Sequence, residues 1–189
     1  VASLAIFVSR GSWIWQVALP MAVANGLGGW VGARFAIQQG SAWVRKVLPT
    51  AKIRVDVNGS WSVDDAIFNI RTIYGEVAGN FLEYVEQPVA SLNELLELKE
   101  RLIVDVKIAG DEVLRKAEDP FAINLDGAID VLMLKVSPLG GIKRSLELAA
   151  HHKLPVVVSS ALESVVGISY GLKLAAQLPV LNYACGLAT

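Results

Sequence analysis

Four polar residues recur at nearly equal intervals along this chain, each at or just after the end of an apolar run. They are Asp56 in IRVDVNG, Glu86 in LEYVEQP, Asp111 in VKIAGDE and Lys135 in DVLMLKV, spaced 30, 25 and 24 residues apart. Each interval is about the length of one strand followed by one helix. The series therefore predicts consecutive βα units that bring the four side chains to the same end of a parallel barrel.

Three carboxylates and a lysine at one barrel mouth favour metal-assisted acid–base chemistry. Mg²⁺ prefers hard oxygen ligands and leaves positions open for a substrate, and Asp56, Glu86 and Asp111 could supply such ligands from three strands. We expect their carboxyl groups to converge within coordination distance of one ion. Lys135 could act as a base if its pKa falls, or as a fixed positive charge. A structural alternative, in which each carboxylate caps the next helix, explains the ordered set less well.

Six segments around these positions carry a family resemblance. In chain order they are RVDVNGSW, YVEQPV, IAGDE, LKVSPLGG, VVVSSALESVVG and YACGLAT. Together they resemble the o-succinylbenzoate synthases of the enolase superfamily over about residues 43–189. The resemblance implies an α/β fold, an incomplete TIM-type (β/α) barrel with roughly strands three to eight and without the capping domain of the superfamily. The chain of 189 residues is shorter than the ~250 residues of a complete barrel.

The resemblance also implies roles for individual residues. Lys135 corresponds to the catalytic lysine at the end of the sixth barrel strand, and Mg²⁺ is the implied cofactor. Ser159 and Ser160 fall where the seventh strand meets the substrate. The implied metal ligands are the three carboxylates, Asp56, Glu86 and Asp111.

The implied reaction is the dehydration of a cyclohexadiene carboxylate to o-succinylbenzoate in menaquinone synthesis, a syn elimination through an enediolate that Mg²⁺ stabilises. The expected partner is a small-molecule carboxylate substrate, with no nucleic acid, in the cytoplasm. Two alternatives remain open. One is an N-acylamino acid racemase of the same superfamily, which would need bases on both faces of its substrate. The other is a non-catalytic remnant with at most a metal site.

The family's Lys-x-Lys pair, whose second lysine abstracts the proton α to the carboxylate, has no counterpart in this chain. Upstream of Asp56 the only lysines are Lys46 and Lys52, and neither belongs to such a pair. Lys107 shares a strand face with Asp111 but is expected deeper in the barrel, so it is not a replacement base. We therefore predict that the 189-residue chain is inactive by itself.

The first 40 residues differ in composition from the rest. All 18 acidic residues lie at or after Asp56, so the net charge is +6 before that residue and −7 from there on. A βα unit ordinarily carries acidic residues on its solvated helix face. We therefore divide the chain into an atypical apolar segment, residues 1–40, and a partial barrel domain, residues 41–189.

Three interpretations of the apolar segment compete. Residues 11–33 carry no charge and are long enough to span a membrane, but Gln16, Asn25, Pro20 and five glycines argue against a span. The run GLGGWVG is similar to a dinucleotide-binding loop, but its glycine spacing is wrong and no acid follows to hold a ribose. The favoured interpretation is a frame change in the gene or a degenerate remnant, which would remove the Lys-x-Lys strand alone.

Two sequence signals predict where helices begin. Ser62 with Asp65 and Ser91 with Glu94 both have the spacing of a capping box, each ahead of an apolar helical pattern.

Overall fold

The computed structural model describes residues 52–77 and 81–187, which belong to one compact unit, Thr50–Thr189. Strands and helices alternate through these residues. The strands are β1 Ile53–Asp56, β2 Leu82–Glu86, β3 Lys107–Gly110, β4 Val131–Leu134 and β5 Val156–Val158. The helices are α1 Val63–Glu76, α2 Leu92–Arg101, α3 Glu112–Arg115, α4 Ile142–His152 and α5 Val165–Ala175.

The five described strands form one parallel sheet in the order β1-β2-β3-β4-β5, so each strand pairs with the next in sequence. A parallel bridge between Ser159 and Gly186 extends the sheet beyond β5. Sequential parallel strands joined by helices form a curled part of a β/α barrel. The prediction of an α/β, incomplete barrel is therefore confirmed.

Strands β2 to β5 are largely buried on both faces, as parallel strands usually are, whereas β1 is only partly buried. On one face, Val85, Ile108 and Leu132 belong to the large core that the helices cover. On the other face, Tyr84, Ala109, Val131, Met133 and Val157 form a smaller cluster. Tyr183, from the C-terminal segment, packs edge-on against Tyr84 with ring centroids 5.8 Å apart. The inner face of the curved sheet is thus covered in part by the end of the chain.

The two predicted helix starts differ in detail. At α2 the capping box is complete, because Ser91 accepts from the backbone N–H of Glu94 and the Glu94 carboxylate accepts from the backbone N–H of Ser91. At α1 the Ser62 hydroxyl accepts from the Asp65 backbone, but the Asp65 carboxylate accepts from that hydroxyl and not from a backbone N–H. The prediction of a capping box at Ser62 and Asp65 was therefore wrong, although α1 begins where expected.

The apolar segment of residues 1–40, with its three competing interpretations, lies outside the described residues, as does Lys46. Within residues 52–77 and 81–187, no helix is both long and apolar enough to cross a membrane.

Candidate active site

The ends of four neighbouring strands carry the four residues singled out in the sequence. Asp56 and Glu86 are the last residues of β1 and β2, and they are partners in the strand register. Asp111 directly follows β3, and Lys135 directly follows β4. Because parallel strands end at the same edge of a sheet, all four side chains start from one edge. The predicted common location is observed.

An ammonium group lies between two of the carboxylates. Lys135 Nζ donates to Asp111 Oδ2 at 2.6 Å and to Glu86 Oε1 at 3.4 Å. The first distance is that of a short charge-assisted bond, and the second is close to the limit of a hydrogen bond. Glu86 and Asp111 are buried, and the Lys135 side chain is 13% exposed. The three groups therefore form a largely desolvated ion cluster.

The electrostatics of this cluster are unbalanced at Glu86. The pKa of Glu86 is raised to about 7, mainly by burial and further by the negative charges of Asp56 and Asp111, against the opposing effect of Lys135. Burial alone would lower the pKa of Lys135, but its hydrogen bonds and charge interactions with Asp111 and Glu86 together outweigh burial and raise it. Lys135 thus stays protonated here, which favours a fixed positive charge over a neutral base.

The expected convergence of three carboxylates is not seen in this arrangement. Within residues 52–77 and 81–187, no group of three or more His, Cys, Asp or Glu side chains is placed to hold a metal ion. The physical reason is that the ammonium of Lys135 already bonds both buried carboxylates. Asp56 is exposed, and its Oδ1 accepts from the backbone N–H of Asn58 at 3.1 Å.

The donor chemistry nevertheless fits a hard divalent cation. Three carboxylates from adjacent strand ends are the oxygen ligands that Mg²⁺ prefers. Burial, followed by the negative charges of Asp56 and Asp111, keeps the pKa of Glu86 raised beside the ammonium group of Lys135. A divalent cation near these three carboxylates would favour their charged forms, so the metal assignment stands as a proposal.

Arg115 is a second cation at Asp111 that the sequence analysis missed. Its Nε lies 3.0 Å from both carboxylate oxygens of Asp111, and its Nη2 donates to Glu112 Oε1. Glu112 is buried, and its other oxygen has no hydrogen-bond partner among the described residues. The separation of four residues between Asp111 and Arg115 on a short helix was the signal that could have identified this pair.

A cleft of about 670 Å³ opens beside the ion cluster. Asp56, Arg115 and Lys135 line one side of the cleft, and the loop after β5 forms the other side. The lining residues are Asp56, Asn58, Arg115, Lys135, Pro138, Ser160, Ala161, Leu162, Glu163 and Ile168. Of the two predicted substrate contacts, only Ser160 lines this cleft. The hydroxyl groups of Ser159 and Ser160 both lie 3.4 Å from the carbonyl oxygen of Gly186, at the bridge beside β5.

Residues 36–188 match a family model described as "Enolase C-terminal domain-like". This chain belongs to that family. The match begins a few residues before the resemblance noted in the sequence, which started at about residue 43. One curated relative, the o-succinylbenzoate synthase of Mycobacterium ulcerans (strain Agy99), is 52% identical to this chain over 146 residues. That alignment covers 77% of this chain and 42% of the relative.

Solved structures show the same fold. Muconate cycloisomerase from Pseudomonas fluorescens is 25% identical with a TM-score of 0.64, covering 76% of this chain and 40% of that one. The L-Ala-D/L-Glu epimerase from Bacillus subtilis is 26% identical with a TM-score of 0.61, covering 71% and 38%. This member of the enolase C-terminal domain-like family thus spans about two fifths of the length of these proteins.

Proposed function

We propose that this chain forms the metal- and lysine-bearing part of an o-succinylbenzoate synthase-like, Mg²⁺-dependent dehydratase, a cytoplasmic carbon–oxygen lyase acting on a small-molecule carboxylate. The observation that carries the proposal is the order Asp56, Glu86, Asp111 and Lys135 at adjacent strand ends beside a cleft. The 52% identity to a protein named o-succinylbenzoate synthase supports the reaction type.

In this proposal Asp56, Glu86 and Asp111 hold Mg²⁺. When bound, the ion supplies positive charge that lowers the energy of negative charge developing on the substrate carboxylate. Lys135 contributes a second positive charge from the neighbouring strand end, and its low exposure strengthens that contribution because little water screens it. Arg115 holds the Asp111 carboxylate through its Nε.

The cleft suits a small acid with an apolar body. A volume of about 670 Å³ lies within the usual range for small-molecule sites. Ser160 offers a hydroxyl to a polar substituent, while Leu162 offers an apolar surface on the same loop. A hydrogen bond from the Ser137 hydroxyl to the Glu163 carboxylate ties this loop to the segment after β4.

Among residues 52–77 and 81–187, neither of two candidate lysines is placed to act as a base for proton abstraction. Lys107, the substitute considered from the sequence, is the first residue of β3 and so lies at the opposite end of that strand from Asp111. Lys135 is held as a cation by two carboxylates. Removing a principal catalytic group costs several powers of ten in rate, so the 189-residue chain is expected to bind the ion without turnover.

The test compares o-succinylbenzoate formation by two proteins, residues 1–189 alone and a version completed with an upstream Lys-x-Lys strand and cap from a relative, both with Mg²⁺. We expect product from the completed version only. In that version Lys135→Ala should abolish product, whereas Lys143→Ala should not, because Lys143 is a 92% exposed lysine on α4.

Two results would contradict the proposal. Turnover by residues 1–189 alone would show that a base within this chain had been overlooked. Racemisation of an N-acylamino acid by the completed version, without synthase activity, would favour the racemase alternative, whose fold the Bacillus subtilis epimerase shares.

A further inference from the structure

A buried glutamine lies next to one of the proposed metal ligands and was not singled out in the sequence. Gln87 follows Glu86, is 0% exposed, and has a φ of 38°. A positive φ is uncommon for a residue with a side chain and is retained only where the surroundings hold it. The local backbone is therefore determined by the contacts of Gln87.

The side-chain amide of Gln87 reaches across to the end of β3. Its Oε1 accepts from the backbone N–H groups of Asp111 and Val113, both at 3.1 Å. Its Nε2 donates to the carbonyl oxygen of Val89 at 2.9 Å. Two acceptor contacts and one donor contact on a fully buried group require an amide, because neither a carboxylate nor an apolar side chain supplies both.

The backbone of Gln87 connects to the flanking strands as well. Its N–H donates to the carbonyl oxygen of Ala109 in β3 at 2.8 Å, and its carbonyl oxygen accepts from Gly59, in the loop after β1, at 2.7 Å. The segments that carry Asp56, Glu86 and Asp111 therefore all meet at one residue.

We propose that Gln87 is a positioning residue that sets the placement of Asp111 relative to Glu86 and thereby the affinity of this strand edge for a divalent cation. This inference rests on the proposed metal-binding function. Its physical basis is that the turn carrying Asp111 is held by two backbone N–H groups that share one acceptor, the Gln87 Oε1. Loss of that acceptor leaves two buried donors unpaired, so the turn would shift towards other partners.

The experiment uses the 189-residue chain and two substitutions. Gln87→Met keeps the approximate length of the side chain without its polar groups, and Gln87→Glu keeps an acceptor oxygen. Amide hydrogen exchange at Asp111 and Val113 is measured without metal. The ¹⁵N signal of the Lys135 ammonium group reports its pairing with Asp111. The affinity for Mn²⁺ is measured by calorimetry. Leu148→Ala, a buried substitution on α4, controls for general destabilisation.

We expect Gln87→Met to speed exchange at both amides relative to α4, to change the Lys135 signal, and to weaken Mn²⁺ binding about 10–100-fold. Gln87→Glu should keep both amides protected, because it retains the acceptor oxygen and loses only the donor contact to the carbonyl oxygen of Val89. Leu148→Ala should lower the thermal midpoint while leaving the Mn²⁺ affinity within about threefold of that of the unsubstituted chain.

Three results would overturn the inference. The first is unchanged exchange at both amides in Gln87→Met, and the second is faster exchange with unchanged Mn²⁺ affinity. If Gln87→Met does not fold, the third result is loss of protection at both amides in a folded Gln87→Glu. Failure of the unsubstituted chain to bind Mn²⁺ would instead contradict the proposed function. In that case the ¹⁵N signal of Lys135 decides the positioning role of Gln87. A changed signal in Gln87→Met supports the role, and an unchanged signal refutes it.

Discussion

At the scale of single residues, the charge balance among Glu86, Asp111 and Lys135 governs the site. Two buried carboxylates share one ammonium group, and the pKa of Glu86 is raised because burial makes its charged form less favourable here than in water. Burying such charges costs more than it returns unless each keeps a partner. The cluster is therefore a weak source of stability for the fold, in keeping with its proposed role in binding a cation.

Replacing Lys135 by methionine removes the cation and leaves two buried carboxylates facing each other. We expect the free energy of unfolding of the metal-free chain to fall by about 3–5 kcal/mol, measured by urea unfolding at neutral pH. Adding Glu86→Gln should restore part of this loss, since it removes one of the two charges. Strictly additive effects of the two substitutions would contradict the coupling that the 3.4 Å contact implies.

At the scale of elements, the turn from β3 into α3 is tightly packed at Gly110. A Cβ at Gly110 would lie 2.8 Å from side-chain atoms of both Ile129 and Val113, closer than such atoms can approach. Asp111 follows Gly110 directly, so crowding here also displaces a proposed metal ligand. Gly75 in α1 offers a contrast, because a Cβ there would meet nothing within 4 Å.

Replacement of each glycine by alanine should change the free energy of unfolding in opposite directions. Gly110→Ala should lower the free energy of unfolding by about 1–3 kcal/mol because the core there is already filled. Gly75→Ala should raise it by about 0.5–1 kcal/mol, since alanine favours a helix over glycine. Chemical denaturation of the two variants beside the unsubstituted chain checks both signs. A stabilising Gly110→Ala would show that the turn has room that the structure does not indicate.

At the scale of the whole molecule, five parallel strands place their carboxyl ends at one edge, and the cleft lies there. This is where β/α barrels carry their active sites. The chain spans 42% of the length of the Mycobacterium ulcerans relative. The three proposed metal ligands lie at the ends of β1, β2 and β3, all within this chain. Metal binding can therefore be tested separately from turnover.

Mg²⁺ or Mn²⁺ should therefore raise the thermal midpoint of the 189-residue chain, because an ion that binds only the folded state stabilises it by about 2.7 kcal/mol at 100 times its dissociation constant. Asp56→Asn should remove most of this effect while leaving the metal-free midpoint almost unchanged, since Asp56 is exposed. Asp126→Asn, in an exposed turn, is the control and should keep the full effect. Equal metal responses of all three proteins would argue against the assigned ligand.

The sequence by itself determined the order of the βα units, the start of α2 at Ser91 and the common edge of Asp56, Glu86, Asp111 and Lys135. These follow from spacing, apolar runs and cap residues, which act locally along the chain. Only the tertiary structure decided that Lys135 bonds Asp111 and Glu86, and that Gln87 joins three strand ends. Such contacts depend on strand register, on the curvature of the sheet and on competition among buried charges, because residues 24 or more positions apart meet only after the sheet has formed.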